Sequence, residues 1–258
     1  MSLHTVVSRD GTEIAYDRSG SGPAIIMMAA GPTDRWALAG IAELLAKDFT
    51  VFNYDRRGRG DSGDTPPYAP EREYEDLQAL ITAAGGNAGV YGSSGGGILA
   101  LKAALWGADI ARLAVWEAPF ILEGTRPPVR ADYRQNLEQL LAEGRRGDML
   151  DSFMIDAVGM PAEFVTPMHD MPMWPGMERI AHTLVYDSII TGDFSMPEGL
   201  SELTVPTLVL EGGTMPWMTQ GAKVLAETLP DAALRVLTGQ THDVQPAAIA
   251  PVLAEYFA

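Results

Sequence analysis

The sequence predicts an α/β fold: a mostly parallel sheet with helices on both faces and an inserted helical cap. Three observations carry this prediction. From residue 24 to residue 116, short apolar runs alternate with longer runs of helical periodicity. From Phe120 to about Leu203 the helical runs continue, but no clear strand appears. After residue 204 the alternation resumes and continues towards the end of the sequence. Parallel neighbours in a sheet need a long crossover, usually a helix, so this rhythm reads as successive βαβ units. The core is therefore expected at residues 1–119 and 204–258, and the cap at residues 120–203.

Each element has its own signal. Thr5–Ser8 and Glu13–Asp17 alternate around Arg9-Asp10-Gly11, the pattern of a β-hairpin. Ala24–Met28 and Thr50–Tyr54 are short apolar strands of the buried kind. Between them, Trp36–Lys47 places Leu38, Ile41, Leu44 and Leu45 on one helical face. Glu73–Ala83 reads as helix, Gly89–Tyr91 as strand, Gly96–Trp106 as helix and Leu113–Trp116 as strand. Within the cap, Tyr133–Glu143 and Met177–Ile190 are the clearest helices. Pro206–Leu210 and Ala233–Leu237 are the late strands, with helices expected at Gly221–Leu229 and Ala247–Phe257.

Composition narrows the function. At 258 residues with 47% hydrophobic side chains, the chain can bury a sizeable core. No apolar run is long enough to span a bilayer, and Met1-Ser2-Leu3-His4 lacks the pattern of a secretory signal. With no cysteine, thiolate chemistry and disulfides are excluded, and a cytoplasmic location is the expectation. A net charge of −16 argues against nucleic acid or an anionic membrane as partner and otherwise serves solubility; the expected partner is a small-molecule substrate. No cluster of ligand spacing implies a metal, and no cofactor motif is present. Oligomeric state leaves no mark.

The most informative stretch is Gly92-Ser93-Ser94-Gly95-Gly96, between a short apolar strand and a helical run. A serine on a sharp strand-to-helix turn takes a strained backbone, so residues two positions away on either side must lack side chains. Only Ser94 meets that condition, because Ser93 would need glycine where Tyr91 stands. A glycine-rich turn that merely packs helix on strand has the same composition, so a base is needed to support the reading. The chain has four histidines. His4 lies at the terminus, and His169 and His182 fall in the cap. His242, in Gly239-Gln240-Thr241-His242-Asp243, follows a predicted strand and reaches the same carboxyl edge as Ser94.

Over nearly its whole length the chain resembles the α/β-hydrolase superfamily, through Tyr54–Ser62, the turn at Ser94 and the late histidine loop. That resemblance implies Ser94 as nucleophile and His242 as general base, in the chain order serine, acid, histidine. The family usually carries an aspartate about where this chain has Met215, which cannot orient an imidazole. Some members, similar in this respect to certain haloalkane dehalogenases, place the acid after the strand that follows the nucleophile helix. Here that residue is Glu117, directly after Leu113–Trp116. Glu211 is the reserve candidate, and Asp243 is too close in sequence to His242. Oxyanion donors are expected from the backbone N–H of Gly95 and, in the loop Ala29-Ala30-Gly31-Pro32-Thr33, of Gly31.

Two further clusters admit two readings each. Arg56, Arg57 and Arg59 suit either a phosphate site or a polar loop, and the acidic net charge favours the loop. The methionines from Met149 to Met177, with Phe153, Phe164 and Trp174, suit either an apolar pocket or ordinary cap packing. The expected activity is hydrolysis of a small to medium, largely apolar carboxylic ester or lactone through an acyl-enzyme. The alternatives are carbon–carbon bond hydrolysis, haloperoxidase-like perhydrolysis, and a catalytically silent binding protein.

Overall fold

The computed structural model describes residues 2–258. Eight strands form one sheet in the order β1-β2-β4-β3-β5-β6-β7-β8. They are β1 (Ser2–Val7), β2 (Glu13–Ser19), β3 (Ala24–Met28), β4 (Thr50–Tyr54), β5 (Ala88–Ser93), β6 (Ile110–Trp116), β7 (Thr207–Gly213) and β8 (Ala232–Gln240). The predicted hairpin is present, with Val7 opposite Glu13. β2 joins β4 antiparallel, and every pairing from β4 across to β8 is parallel.

Side-chain alternation explains why these runs become central strands. Ile26, Met28, Val90, Leu113 and Val115 enter the core on one face, while Ile25, Met27, Tyr91, Ala114 and Trp116 enter it on the other. Both faces are dry, which is why these strands read as unbroken apolar runs. Burying each large side chain of this kind contributes about 1.5–3 kcal/mol. The first face is covered by α2 (Pro70–Ala83), α3 (Gly95–Trp106) and α9 (Pro216–Thr228). The second is covered by α1 (Ala39–Leu45) and α10 (Pro246–Phe257).

Between β6 and β7 the chain is helical and contributes no strand. It runs through α4 (Tyr133–Ala142), α5 (Arg146–Ser152), a π-helical turn (Phe153–Val158), α6 (Ala162–Val165), α7 (Trp174–Ile180) and α8 (Thr183–Thr191). The single helix expected over Met177–Ile190 is two helices. Thr183 Oγ1 donates to the carbonyl of Ile180 at 2.7 Å, occupying an acceptor that continued helix would have used. The helix expected at Trp36–Lys47 likewise begins as a 3-10 turn, Arg35–Leu38, whose first amides are capped by Asp34. Asp34 Oδ1 accepts from Trp36 N at 3.0 Å. Among the described residues no helix is long and apolar enough to cross a membrane.

The order β4-β3-β5 reverses the direction of winding between β3 and β5. Ligands of open α/β sheets bind in the crevice outside the carboxyl ends of strands at such a reversal. The loop at Gly31 and the turn at Ser94 leave the sheet there.

Candidate active site

Ser94 has φ 55° and ψ −128°, a region that L-residues seldom occupy. Conformations of this kind cost about 1–3 kcal/mol and persist where the surroundings impose them. The surroundings here are specific. The Ser94 amide donates to the Trp116 carbonyl at 2.8 Å, tying the turn to the neighbouring strand β6. A Cβ on Gly92 would lie 2.6 Å from the Gly96 carbonyl oxygen, and one on Gly96 would lie 2.6 Å from that of Met28. Both glycines face fixed backbone rather than a side chain that can swing away. The variant Gly96→Ala is accordingly expected to lose about 1–3 kcal/mol of stability, read from urea unfolding at fixed pH.

Glu117 is the first residue beyond β6 and also has positive φ, 42°. Its carboxylate is fully buried. Oε1 accepts from the Gly212 amide at 3.0 Å, and Oε2 lies 2.8 Å from His242 Nδ1. The Gly212 donor is available because the pairing of β7 with β8 slips between Glu211 and Gly213, a bulge that re-aims the amide. A side chain at Gly212 would overlap the Gln240 carbonyl, so only glycine permits this approach. Trp116 Nε1 donates to the His242 carbonyl at 2.9 Å, so adjacent residues at the end of β6 hold the histidine by backbone and ring. The imidazole itself remains partly open to solvent.

The reserve acid is engaged elsewhere. Glu211 Oε2 accepts from the Gly213 amide at 2.6 Å and from Thr219 Oγ1 at 2.8 Å, fastening the start of α9 to β7. Met215 is the residue preceding α9 and makes no side-chain cap. On the other side of the crevice, Gly31 has φ 62°, and a Cβ there would sit 3.5 Å from the Phe153 ring. A Cβ on Gly95 would sit 3.5 Å from Ala30 Cβ and 3.9 Å from Thr191 Cγ2. The loop after β3, the first residue of α3, the π-helical turn and the end of α8 therefore meet at one place. As the first residue of α3, Gly95 has an N–H with no intrahelical acceptor.

The arginine loop is an ion network rather than a phosphate cradle. Arg56 pairs with Glu73 through two bonds of 2.6 and 2.7 Å, and Arg57 pairs with Asp76 through bonds of 2.8 and 2.7 Å. Arg59 reaches Asp187 at 2.8 Å and Thr183 Oγ1 at 3.1 Å. All three guanidinium groups are buried, and burial disfavours the charge of Arg56 and Arg57. The carboxylates of Glu73 and Asp187 outweigh that for Arg56, and those of Asp76 and Asp10 for Arg57, so both pKa values end above the ordinary value. Asp187 also binds Arg56, at 2.9 Å, so this loop clamps α8 to the core. Gly60 is required within it, since a side chain there would overlap the buried Asp55 carboxylate. Sequence reasoning anticipated a loop but not its partners.

The remaining candidates divide. His169 contacts Asp151 at 2.7 Å, and His182 lies 3.4 Å from Asp64; both belong to networks separate from His242. Met149 and Met154 are buried and Met160, Met168 and Met177 pack against the core, whereas Met171 and Met173 are exposed.

Several known proteins resemble this one. The alpha/beta hydrolase family model matches residues 25–255. An alpha/beta hydrolase from Sphaerobacter thermophilus DSM 20745 is 52% identical, with a TM-score of 0.94 over 99% of this chain and 100% of that one. A thermophilic esterase from Thermogutta terrifontis is 21% identical and has a TM-score of 0.76 over 99% of this chain and 98% of its own, a likeness of fold. An uncharacterized hydrolase from Bacillus subtilis (strain 168), YraK, is 29% identical over 117 residues. That match spans 44% of this chain and 43% of the relative. With a family model covering the sheet from β3 to α10, and the strained serine, buried glutamate and late histidine all on one edge, the chain belongs to the alpha/beta hydrolase family.

Proposed function

We propose that the chain is a serine hydrolase that cleaves small to medium, largely apolar carboxylic esters or lactones through an acyl-enzyme. The observation that carries this reading is the 2.8 Å contact between His242 Nδ1 and the buried Glu117 carboxylate, on the edge where Ser94 is held at positive φ. A carboxylate on Nδ1 fixes the tautomer that leaves Nε2 free to accept a proton. In the reaction, Ser94 Oγ attacks the ester carbonyl as its proton passes to His242 Nε2. The N–H groups of Gly95 and Gly31 hold the developing oxyanion. The imidazolium, steadied by Glu117, then protonates the leaving alcohol. Water, deprotonated by the same imidazole, releases the acid and restores Ser94. For a lactone the alcohol stays attached to the acyl group, and the product is a hydroxy acid.

A catalytically silent binding protein would be favoured by the lack of an acid at Met215; the Glu117 carboxylate, 2.8 Å from His242 Nδ1, supports the enzyme reading instead. The segment at residues 120–203 acts in this reading as the cap, bringing Phe153 beside Gly31 and Thr191 beside Gly95.

Glu117→Gln keeps shape and burial but removes the charge that steadies the imidazolium. It is expected to lower kcat on short-chain p-nitrophenyl esters by about 10⁴-fold, the scale seen when a triad acid becomes its amide. Glu211→Gln, measured beside it, is expected to retain most of the rate. Equal rates for Glu117→Gln and the parent protein would remove Glu117 from the triad. Failure of the parent to turn over any ester or lactone would remove the reading itself.

A further inference from the structure

Arg126 is a half-buried arginine without an acidic partner, whereas the four fully buried arginines all have one. Among the described residues no carboxylate oxygen lies within 4.0 Å of its guanidinium, whereas Arg35, Arg56, Arg57 and Arg59 each hold at least one at 3.0 Å or less. Burial disfavours the charge of Arg126, and no carboxylate offsets it. The side chain is nonetheless firmly placed. Nη1 donates to the carbonyls of Ala157 at 3.2 Å and Val158 at 3.3 Å, and Cζ lies 4.9 Å over the Trp217 ring. A Cβ on Gly159 would come within 3.0 Å of Nη2, so the glycine leaves that edge of the guanidinium room.

The neighbours of Arg126 locate it. Trp217 is the second residue of α9, which starts at the carboxyl end of β7. Ala157 and Val158 end the π-helical turn that begins with Phe153, and the Phe153 ring covers Gly31. From Phe153 to Ala157 the axial rise is about 6 Å or less at helical spacing. Arg126 thus bridges the end of the π-helical turn, whose first residue packs on Gly31, and the start of α9. π-Helical turns of this kind recur at functional sites.

We propose that Arg126 anchors a carboxylate at the distal end of the substrate, so that the preferred ester is the half-ester of a short dicarboxylic acid. The proposal rests on the serine hydrolase reading for the position of the reacting carbonyl, and narrows its small, largely apolar ester to one with a single charged end. Nη1 is fixed by two backbone carbonyls and the cation by the Trp217 face, leaving Nη2 to donate to an incoming anion. A charge-assisted bond in a half-desolvated setting favours the anionic ester over its neutral diester, and the arginine is already oriented to make it. Phe153, at the opposite end of the turn from the carbonyls that hold Arg126, packs its ring on Gly31, and an apolar surface there suits a short methylene chain.

The test compares monomethyl succinate, glutarate and adipate with their dimethyl esters, for the parent protein, Arg126→Gln and Arg126→Lys. The readout is the ratio of kcat/KM, half-ester over diester. The parent is expected to favour one half-ester, and Arg126→Gln to lower that ratio by about 10- to 100-fold. Arg126→Lys, which keeps the charge, is expected to fall between them. A ratio unchanged in Arg126→Gln, or loss of both substrates in proportion, would make Arg126 a structural strap and overturn the proposal. Calorimetry with glutarate reads the same anchor without turnover. Glutarate binding at least ten-fold weaker in Arg126→Gln supports the anchor, even if no ester is hydrolysed and the hydrolase reading fails. Equal glutarate binding, or none to the parent, overturns the anchor, while turnover of neutral esters would still support the hydrolase reading.

Discussion

Ser94→Ala is expected to abolish covalent labelling by a fluorophosphonate and to lower ester kcat by about 10⁶-fold, the scale found when a triad nucleophile is removed. The geometry gives no substitute. Ser93 is the last residue of β5 and has neither the positive φ nor the flanking glycines that hold Ser94 clear of the backbone. Alanine can be held at φ 55° by the same neighbours, so the fold and the oxyanion donors are expected to survive. A residual acceleration over water of about 10³–10⁴-fold is then expected from binding and oxyanion contacts alone. Intact mass after labelling decides the matter. One adduct on the parent and none on Ser94→Ala is the expected pair. An adduct of equal yield on Ser94→Ala would place the reactive group elsewhere.

Much of the candidate site's geometry is legible in the sequence because its determinants are local. The pentad around Ser94 is a steric requirement written in consecutive residues, and both glycines prove to face backbone oxygens. Glu117 was readable as a strand-end position once Met215 failed as an acid, although the positive φ that turns its carboxylate inward was not. The parallel strands were readable because both of their faces are dry. What escaped the sequence depends on distant partners. Arg56 and Arg59 find Asp187 more than a hundred residues away, and charges paired at that separation leave no periodicity to read. The break between α7 and α8 depends on the Thr183 hydroxyl, and the π-helical turn at Phe153–Val158 has no compositional signature. Arg126 stood in a Pro-rich stretch and gave no signal. Its isolation from carboxylates exists only in three dimensions.

Asp187→Ala is expected to cost about 3–5 kcal/mol, the penalty for leaving buried charge without its counter-ion. The asymmetry between the two arginines it serves explains the size. Arg56 keeps its two bonds to Glu73, but Arg59 loses its acidic partner and retains Thr183 Oγ1 alone. Arg59 Nη1 already lacks a bond in the folded protein, and its side chain is 1% exposed, so water cannot readily replace what is lost. At about 2–4 °C per kcal/mol for a chain of comparable size, the melting temperature should fall by roughly 10 °C. Because the pair is buried, the loss should persist in high salt, unlike that of an exposed pair such as Arg134–Glu138. The effect should also reach the site. Asp187 lies on α8, whose final residue Thr191 contacts the Gly95 side of the crevice, so a loosened α8 lowers kcat as well as stability. Asp187→Asn separates charge from shape: the amide keeps an acceptor for Arg59 and should lose less stability than alanine. If Asp187→Ala melts with the parent, the network contributes no net stability. The apolar face of α8, through Leu184 and Ile190, would then suffice to hold it.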